Sequence, residues 1–280
     1  MDLRFLPDNG ARYELAVEVS GSGLKTTKTE TYSISTNWLL DIRKDSNDAY
    51  IKATYKRIKA DLAFPSDSLQ VDSDHPVPDS LAMSNPRKYN IPWIWQGIKG
   101  QSFTYRMNSL GQIDSMQPFT SLMIGLVENV LHGPIPSGDH QLRDQVWNTA
   151  SAQFNEKAVH DQLMLLFPEY PGRQLKVGDT LGRTYQNATG LPLVMVQVFK
   201  VSEITDSEVT LLLGGSGFLE QTEISLKAEQ QGKIVVNRNT GMMESVYIEE
   251  ILNGTMEKLP FKQSTTMKAS CKKLGQDPSK

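Results

Sequence analysis

The stretch that decides the fold is residues 117–171, which reads QPFTSLMIGLVENVLHGPIPSGDHQLRDQVWNTASAQFNEKAVHDQLMLLFPEYP. From residue 119 to 131 apolar side chains recur at three- and four-residue spacing, which predicts a helix. Similar patterns predict a second helix from about Asp139 and a third after Asn155, both residue types that favour the N-cap. Because each helix has one apolar stripe, the three helices are expected to cover an apolar surface.

Strand-like sequence lies on both sides of this segment, where apolar and polar residues alternate between short turn signals. Four strands in an N-terminal meander are expected between residues 11 and 60. The run at 192–201 is apolar at most positions, which predicts a strand buried on both faces. Residues 62–92 are rich in Pro, Asp and Ser and are expected to be largely irregular.

Together these patterns predict an α+β protein: a large curved antiparallel β-sheet with about three central helices packed on its concave face. The expected organisation is one domain over residues 1–280. It comprises an N-terminal β-region at 11–116, a helical segment at 117–168 and a C-terminal β-region at 174–272. The alternative is a pair of β-rich lobes that separate near 117–170.

The composition of the chain argues against some classes of function. The net charge is −3 and no basic patch is evident, so a nucleic-acid partner is not expected. No run of about 18 apolar residues predicts a transmembrane helix. The first ten residues are too polar for the core of a signal peptide, so an export signal is expected to be absent from the given chain. The single cysteine, Cys271, cannot form an internal disulfide.

Motifs for catalysis or cofactor binding are absent from the sequence: there is no zinc-binding helix pattern, no Gly-x-Ser-x-Gly elbow and no phosphate-binding loop. We therefore predict no catalytic residue, no cofactor, no metal site and no enzymatic activity. Asp72, Asp74 and His75 form the best local cluster of metal-ligand types. Val77 and Met83 occupy the positions where a calcium loop needs Gly and Glu, so a solvated acidic loop is the favoured interpretation.

Candidates for the wall of a ligand cavity are aromatic and apolar residues of the predicted strands and helices. Trp93 and Trp95 share one face if their segment is extended, although core packing is the commoner role of such a pair. The candidate set is Trp93, Trp95, Phe103, Tyr105, Leu126, Trp147 and Phe154.

The order of features along the chain is distinctive. A β-region and an Asp/Ser/Pro loop come before the helices. After the helices come Phe167-Pro168 and then Val177-Gly178-Asp179, and a hairpin with an Asn-containing turn and a Gly comes last. This order resembles uncharacterised exported proteins and lipoproteins of Bacteroidetes-type bacteria, grouped as a domain of unknown function. A looser resemblance is to lipoprotein carriers, in which a curved sheet holds a lipid-like ligand against helices. The resemblance implies a periplasmic or cell-surface location. It also implies peripheral membrane association through a lipid anchor on a removed N-terminal segment. A cytoplasmic location is the alternative.

The function predicted from the sequence is that of a non-enzymatic, envelope-associated binding or carrier protein for an apolar or lipid-like ligand. Two alternatives stay open. One is a hydrolase with a composite site near residues 72–75, and the other is a surface protein-interaction module that uses the segment 62–92.

Overall fold

The computed structural model describes residues 2–25, 28–65, 67–75, 86–131, 140–186 and 193–275. Its strands are β1 (Arg12–Lys25), β2 (Lys28–Asp45), β3 (Asp48–Phe64), β4 (Asp67–Asp72), β5 (Ser102–Met107), β6 (Ile113–Met116), β7 (Thr180–Gln186), β8 (Val194–Ile204), β9 (Glu208–Gln221), β10 (Ile224–Asn237), β11 (Met243–Met256) and β12 (Leu259–Lys273). Its helices are α1 (Pro86–Gly97), α2 (Thr120–Leu131), α3 (His140–Gln153) and α4 (Glu156–Leu166).

All these strands belong to one antiparallel sheet, in the order β6-β5-β3-β2-β1-β12-β11-β10-β9-β8-β7, with β4 beside β3. The first and last strands pair at its centre, where Tyr13 lies opposite Lys273 and Val17 opposite Ala269. The strands of the two sequence-distant β-regions therefore share one continuous hydrogen-bonded ladder.

The prediction of an α+β class is wrong, because the protein is predominantly β. Strands of up to 18 residues run through positions that look like breaks in the sequence. β2 continues across the polar residues 35–37, and β9 continues across the glycine-rich residues 214–217. Both strands are paired on both sides, and these ladders offset the weak strand preference of glycine.

The helices also differ from the expected covering layer. They have 11 to 14 residues and pack mainly on one another and against β4 and β6. In the described part of the chain, no helix is long and apolar enough to cross a membrane.

Helices α2, α3 and α4 lie within the segment predicted to be helical. The predicted N-cap of the third is confirmed, since Asn155 Oδ1 accepts a hydrogen bond from the Ala158 N–H at 2.8 Å. Residues 62–92 were expected to be irregular, but β4 and α1 occupy much of this segment. Residues 76–85 of it lie outside the described residues. Trp93 and Trp95 thus lie on a helix, so the extended segment on which they would share one face does not form.

The apolar run that was expected to be buried on both faces forms β8, which is buried on one face only. Met195, Phe199 and Val201 point inward. Val194, Val196 and Val198 point outward and are 44–49% exposed. The prediction failed because an apolar run alone does not show whether a second layer covers the outer face.

Two clusters of buried side chains form the core. The larger joins β1–β3, β5, the helices and one part of β8–β12, and it includes Leu3 and Phe5 from the segment before β1. The smaller lies along β8–β11 and contains Leu193, Met195, Leu219, Leu226, Ala228 and Leu252.

Candidate ligand cavity

A cavity of about 470 Å³ lies between the inner face of the sheet and helix α4. Residues of both core clusters line it, so it occupies the gap where the two clusters meet. A volume of this size is within the roughly 300–1,000 Å³ range of small-molecule sites. Its walls are Val17, Val19, Tyr32, Ile34, Thr36, Trp38, Tyr55, Ile58, Trp95, Phe154, Ala158, Val159, Asp161, Gln162, Leu165, Tyr185, Leu193, Gln230, Ile248, Glu250, Leu252, Gln263, Thr265 and Met267.

Helix α4 forms one wall because its two sides face different surroundings. Leu163 and Leu166 are buried in the main core and anchor the helix. Asp161, Gln162 and Leu165 face the cavity. The three- and four-residue spacing of the helix separates these two sets of side chains.

A row of inward-facing polar residues crosses the sheet at one level of the strand register. Arg183 on β7 is directly opposite Gln197 on β8, and Gln230 on β10 is opposite Glu250 on β11. The row continues from Glu250 to Thr265 on β12. Beyond Thr265 the register passes Gly21 on β1 to reach Tyr32 on β2. Polar side chains in an apolar sheet face need hydrogen-bond partners, and the row supplies them.

The half of the row formed by residues 183–250 is a chain of side-chain hydrogen bonds. Arg183 Nε donates to Gln197 Oε1 at 2.6 Å, and Gln197 Nε2 donates to Gln230 Oε1 at 2.7 Å. Gln230 Nε2 in turn donates to Glu250 Oε2, and it also lies 3.2 Å from Tyr185 Oη. Two neutral amides therefore separate the cation of Arg183 from the carboxylate of Glu250.

Glycines at two register positions let these side chains meet across an intervening strand. Gly215 on β9 lies between Gln197 and Gln230, and a Cβ there would stand 3.2 Å from Gln230 Oε1. Gly21 lies between Tyr32 and Thr265, whose hydroxyl oxygens are 2.9 Å apart. A side chain at either glycine would intrude on the contact that crosses it.

Arg183 is directed to the end of helix α4. Its Nη1 donates to the carbonyl oxygens of Met164 and Phe167, at the C-terminus of the helix, where positive charge is favourable. The guanidinium also lies 5.1 Å from the centre of the Phe199 ring. Burial lowers the pKa of Arg183 to about 10, so it stays protonated at neutral pH.

Glu250 is largely buried where it faces the cavity. Burial raises the pKa of its carboxyl group, and the hydrogen bond from Gln230 opposes this shift. Tyr185 lies beside it, and burial is the largest cause that raises the pKa of Tyr185 to about 12. No described Lys, Arg or His forms a salt bridge with Glu250.

The opposite side of the cavity is aromatic and apolar. The Tyr55 ring contacts Trp38 and Phe154 edge to face, with centroids 5.6 and 6.1 Å apart. Trp38 is 1% exposed, and its Nε1–H has no acceptor in hydrogen-bonding geometry among the described residues. The Tyr55 hydroxyl is close enough to interact with this N–H electrostatically but does not meet that geometry. A buried donor left without an acceptor is costly unless another group completes it.

The structure separates the seven residues predicted to line a ligand. Trp95 and Phe154 line the cavity. Phe103, Tyr105 and Leu126 are buried in the main core, while Trp93 and Trp147 are partly buried against it. Whether Trp95 and Phe154 touch a ligand stays a prediction.

The residues of the predicted acidic cluster bond mainly to cationic side chains. Asp72 accepts two hydrogen bonds from Arg57, which hold the pKa of its carboxyl group well below the usual range. Asp74 accepts from Lys99 Nζ at 2.5 Å, and His75 Nδ1 lies 3.2 Å from Asp72 Oδ2. Among residues that the structure describes, no group of three or more His, Cys, Asp or Glu could hold a metal ion.

Sequence reasoning missed Gln197, Gln230 and Glu250, although a signal was present. Each replaces an apolar residue at an inward position of an alternating strand, as Glu250 does between Ile248 and Leu252. In Glu249-Glu250 the two side chains point to opposite faces of the strand, so the pair does not act as two acids at one site. The signal is the single polar residue at a position where the alternation predicts an apolar one.

A comparison of the chain with protein-family models finds a family described as a family of unknown function (DUF6263), over residues 46–243. The chain belongs to this family. The prediction of an uncharacterised family is thereby confirmed, while the Bacteroidetes-type origin and the exported lipoprotein character stay predictions. No curated protein matches the chain.

Solved structures give weak likenesses. The beta domain of the Bordetella autotransporter Brka matches with a TM-score of 0.38 and 6% identity, over 93% of this chain and 99% of that one. The translocator domain of the autotransporter NalP from Neisseria meningitidis matches with a TM-score of 0.35 and 8% identity, over 96% and 90%. An outer membrane channel from Pseudomonas putida F1 matches with a TM-score of 0.21 and 7% identity, over 96% and 98%. Likenesses at these scores assign no function to this chain.

The prediction of a carrier for an apolar or lipid-like ligand is wrong. The wall of the cavity carries the Glu250 carboxylate, which no described cation pairs with and which a wholly apolar ligand would remove further from water without compensation. The location in the cell envelope stays a prediction.

Proposed function

We propose that this protein binds a compact small molecule with both a polar head and an apolar body, in the cavity between the sheet and α4. The observation that carries the proposal is a 470 Å³ cavity whose mainly apolar wall holds a cluster of polar side chains, Glu250, Gln230 and Tyr185. A concave, mainly apolar space with a few convergent polar groups is the usual form of a small-molecule site. We propose binding and not catalysis.

The two ends of the cavity define the ligand. At one end, Glu250, Gln230 and Tyr185 offer hydrogen bonds to a polar head. Along the other side, Tyr55 and Trp38 present an aromatic surface to an apolar body.

The test fills the cavity from helix α4 and measures binding of a defined probe. Ala158 lines the cavity, and Ala158→Phe places a ring in its space. We expect 4-phenylbutan-1-ol to bind the unaltered protein in isothermal titration calorimetry and to lose at least about ten-fold in affinity in this variant, since its body and the new ring compete for one volume.

The matched control is Ala152→Phe, the same change on the exposed surface of α3, which should leave binding unchanged. Leu165→Trp, which fills the cavity from a position two turns further along α4, guards against misfolding of the first variant. Thermal unfolding reports whether each variant is folded. No binding to the unaltered protein, or equal binding in folded filled variants, overturns the proposal.

A further inference from the structure

The charged side chains that line the cavity are both acidic. They are Asp161 on α4 and Glu250 on β11, and no described Lys or Arg is part of the wall. The basic residue of the polar row, Arg183, is engaged at the C-terminus of α4 and does not line the cavity. A cavity with walls of one charge sign concentrates ligands of the opposite sign.

The two carboxylates are placed differently. Glu250 lies on the floor, and the one side chain described as donating to it is the neutral amide of Gln230. Asp161 lies nearer the rim and already pairs with Lys157, whose Nζ is 2.9 Å from Asp161 Oδ2. Lys157 is largely exposed, so solvent screens this pair. Glu250 is therefore the carboxylate that lacks a cation.

The aromatic wall suits a cation as well. The rings of Trp38, Tyr55 and Tyr185 all border the same volume as Glu250. The faces of aromatic rings carry negative potential and attract ammonium groups at distances up to about 6 Å. Because Tyr185 lies beside Glu250 while Tyr55 and Trp38 border the rest of the cavity, the arrangement favours an organic cation with an apolar body over neutral or anionic molecules.

We propose that the polar head of the ligand is a cation, a protonated amine that binds the Glu250 carboxylate while its apolar body lies on the aromatic wall. Asp161 adds a second, weaker attraction at the rim. This inference rests on the proposed binding function of the cavity and names the chemical class of its ligand.

The experiment compares three probes with one body and different heads: 4-phenylbutylamine, 4-phenylbutan-1-ol and 4-phenylbutanoate. Calorimetric titration at pH 7 should show that the unaltered protein prefers the amine to the alcohol by about ten-fold, because a charge-assisted hydrogen bond is stronger than a neutral one. The carboxylate probe should bind most weakly, because it meets two like charges.

Glu250→Gln should reduce the amine-to-alcohol affinity ratio to about one, while keeping an oxygen that can accept from Gln230. The matched control is Glu249→Gln, the same change at the neighbouring residue on the outer face, where Glu249 accepts from Gln231 at 2.7 Å. It should leave the ratio unchanged.

The outcomes separate the two proposals. If the alcohol binds in the cavity and the amine binds no better, the cation assignment fails while the binding function stands. If neither probe binds the unaltered protein, the binding function fails. Equal ratios in the Glu250 and Glu249 variants would show that the amine preference does not come from the cavity floor.

Discussion

In both halves of the polar row, two side chains meet across a glycine of the strand between them, but only one half carries charged groups. On one side, Tyr32 and Thr265 meet across Gly21, and every group in the contact is neutral. On the other, Gln197 and Gln230 meet across Gly215, with Arg183 and Glu250 at the ends. Since the neutral half crosses a strand without charge, charge is not required for the crossing. The crossing therefore does not explain why the other half carries a carboxylate, whereas recognition of a ligand does.

The largest expected effect concerns the glycine of the neutral half. A Cβ at Gly21 would lie 2.5 Å from the Ser264 carbonyl oxygen and 2.7 Å from Tyr32 Oη, so the backbone of β12 has to move. Gly21→Ala should lower the free energy of unfolding in urea by about 2–3 kcal/mol. Gly215→Ala should cost less, because its nearest neighbour is a side-chain oxygen at 3.2 Å.

Gly23 provides the control for this comparison, because it lies two residues along the same strand with open space at its Cβ position. Gly23→Ala should leave stability unchanged or raise it slightly. A loss at Gly23 equal to that at Gly21 would mean that strand conformation, and not the crossing contact, sets the cost.

A middle-sized effect is expected when one member of each half loses its polar group. Gln197→Leu removes the oxygen that accepts from Arg183 and the amide that donates to Gln230. It should lower the free energy of unfolding in urea by about 2 kcal/mol, because these two buried groups then lack a hydrogen-bond partner. Tyr32→Phe should cost about 1 kcal/mol, since Gln263 Nε2 lies 3.5 Å from Thr265 Oγ1 and remains as a partner. The reverse order would contradict the account of the two halves.

Local sequence features predicted the helices well and the site poorly. The stripes of α2 and α4 and the Asn155 cap depend on residues a few positions apart, which one sequence displays directly. The row depends on register: Arg183, Gln230 and Glu250 are connected only because four successive strand pairings align them. A single sequence contains the alternation of each strand but not the alignment between strands.

The fold class failed for a related reason. The glycines of β9 and the polar residues of β2 indicate turns when read locally, but pairing on both sides keeps them in the ladder. Trp95 and Phe154 were proposed as lining residues on composition alone, and the structure places both at the cavity. Glu250 could have been suspected from its polar character at an inward position, but its burial could not.

The smallest effect has the opposite sign and bears on the carboxylate itself. Burial raises the pKa of folded Glu250 above its unfolded value, with Tyr185, Asp161, Thr265 and Gln230 around it. Stability from this group is therefore complete below the unfolded pKa and is lost as pH rises through the raised folded value. Glu250→Gln removes the charge and keeps an acceptor for Gln230, so it should stabilise the protein at neutral pH.

The most direct measurement is the difference in unfolding free energy between Glu250→Gln and the unaltered protein, followed from pH 4 to pH 8 with and without 4-phenylbutylamine. Without the amine, the account predicts no difference near pH 4 and an increasing advantage of the variant toward pH 8. Saturating amine should remove that advantage, because the ligand stabilises only the folded protein whose carboxylate it meets. A variant that is less stable than the unaltered protein at pH 8 without amine would contradict the account, because it would show that Glu250 already has its counter-charge within the fold.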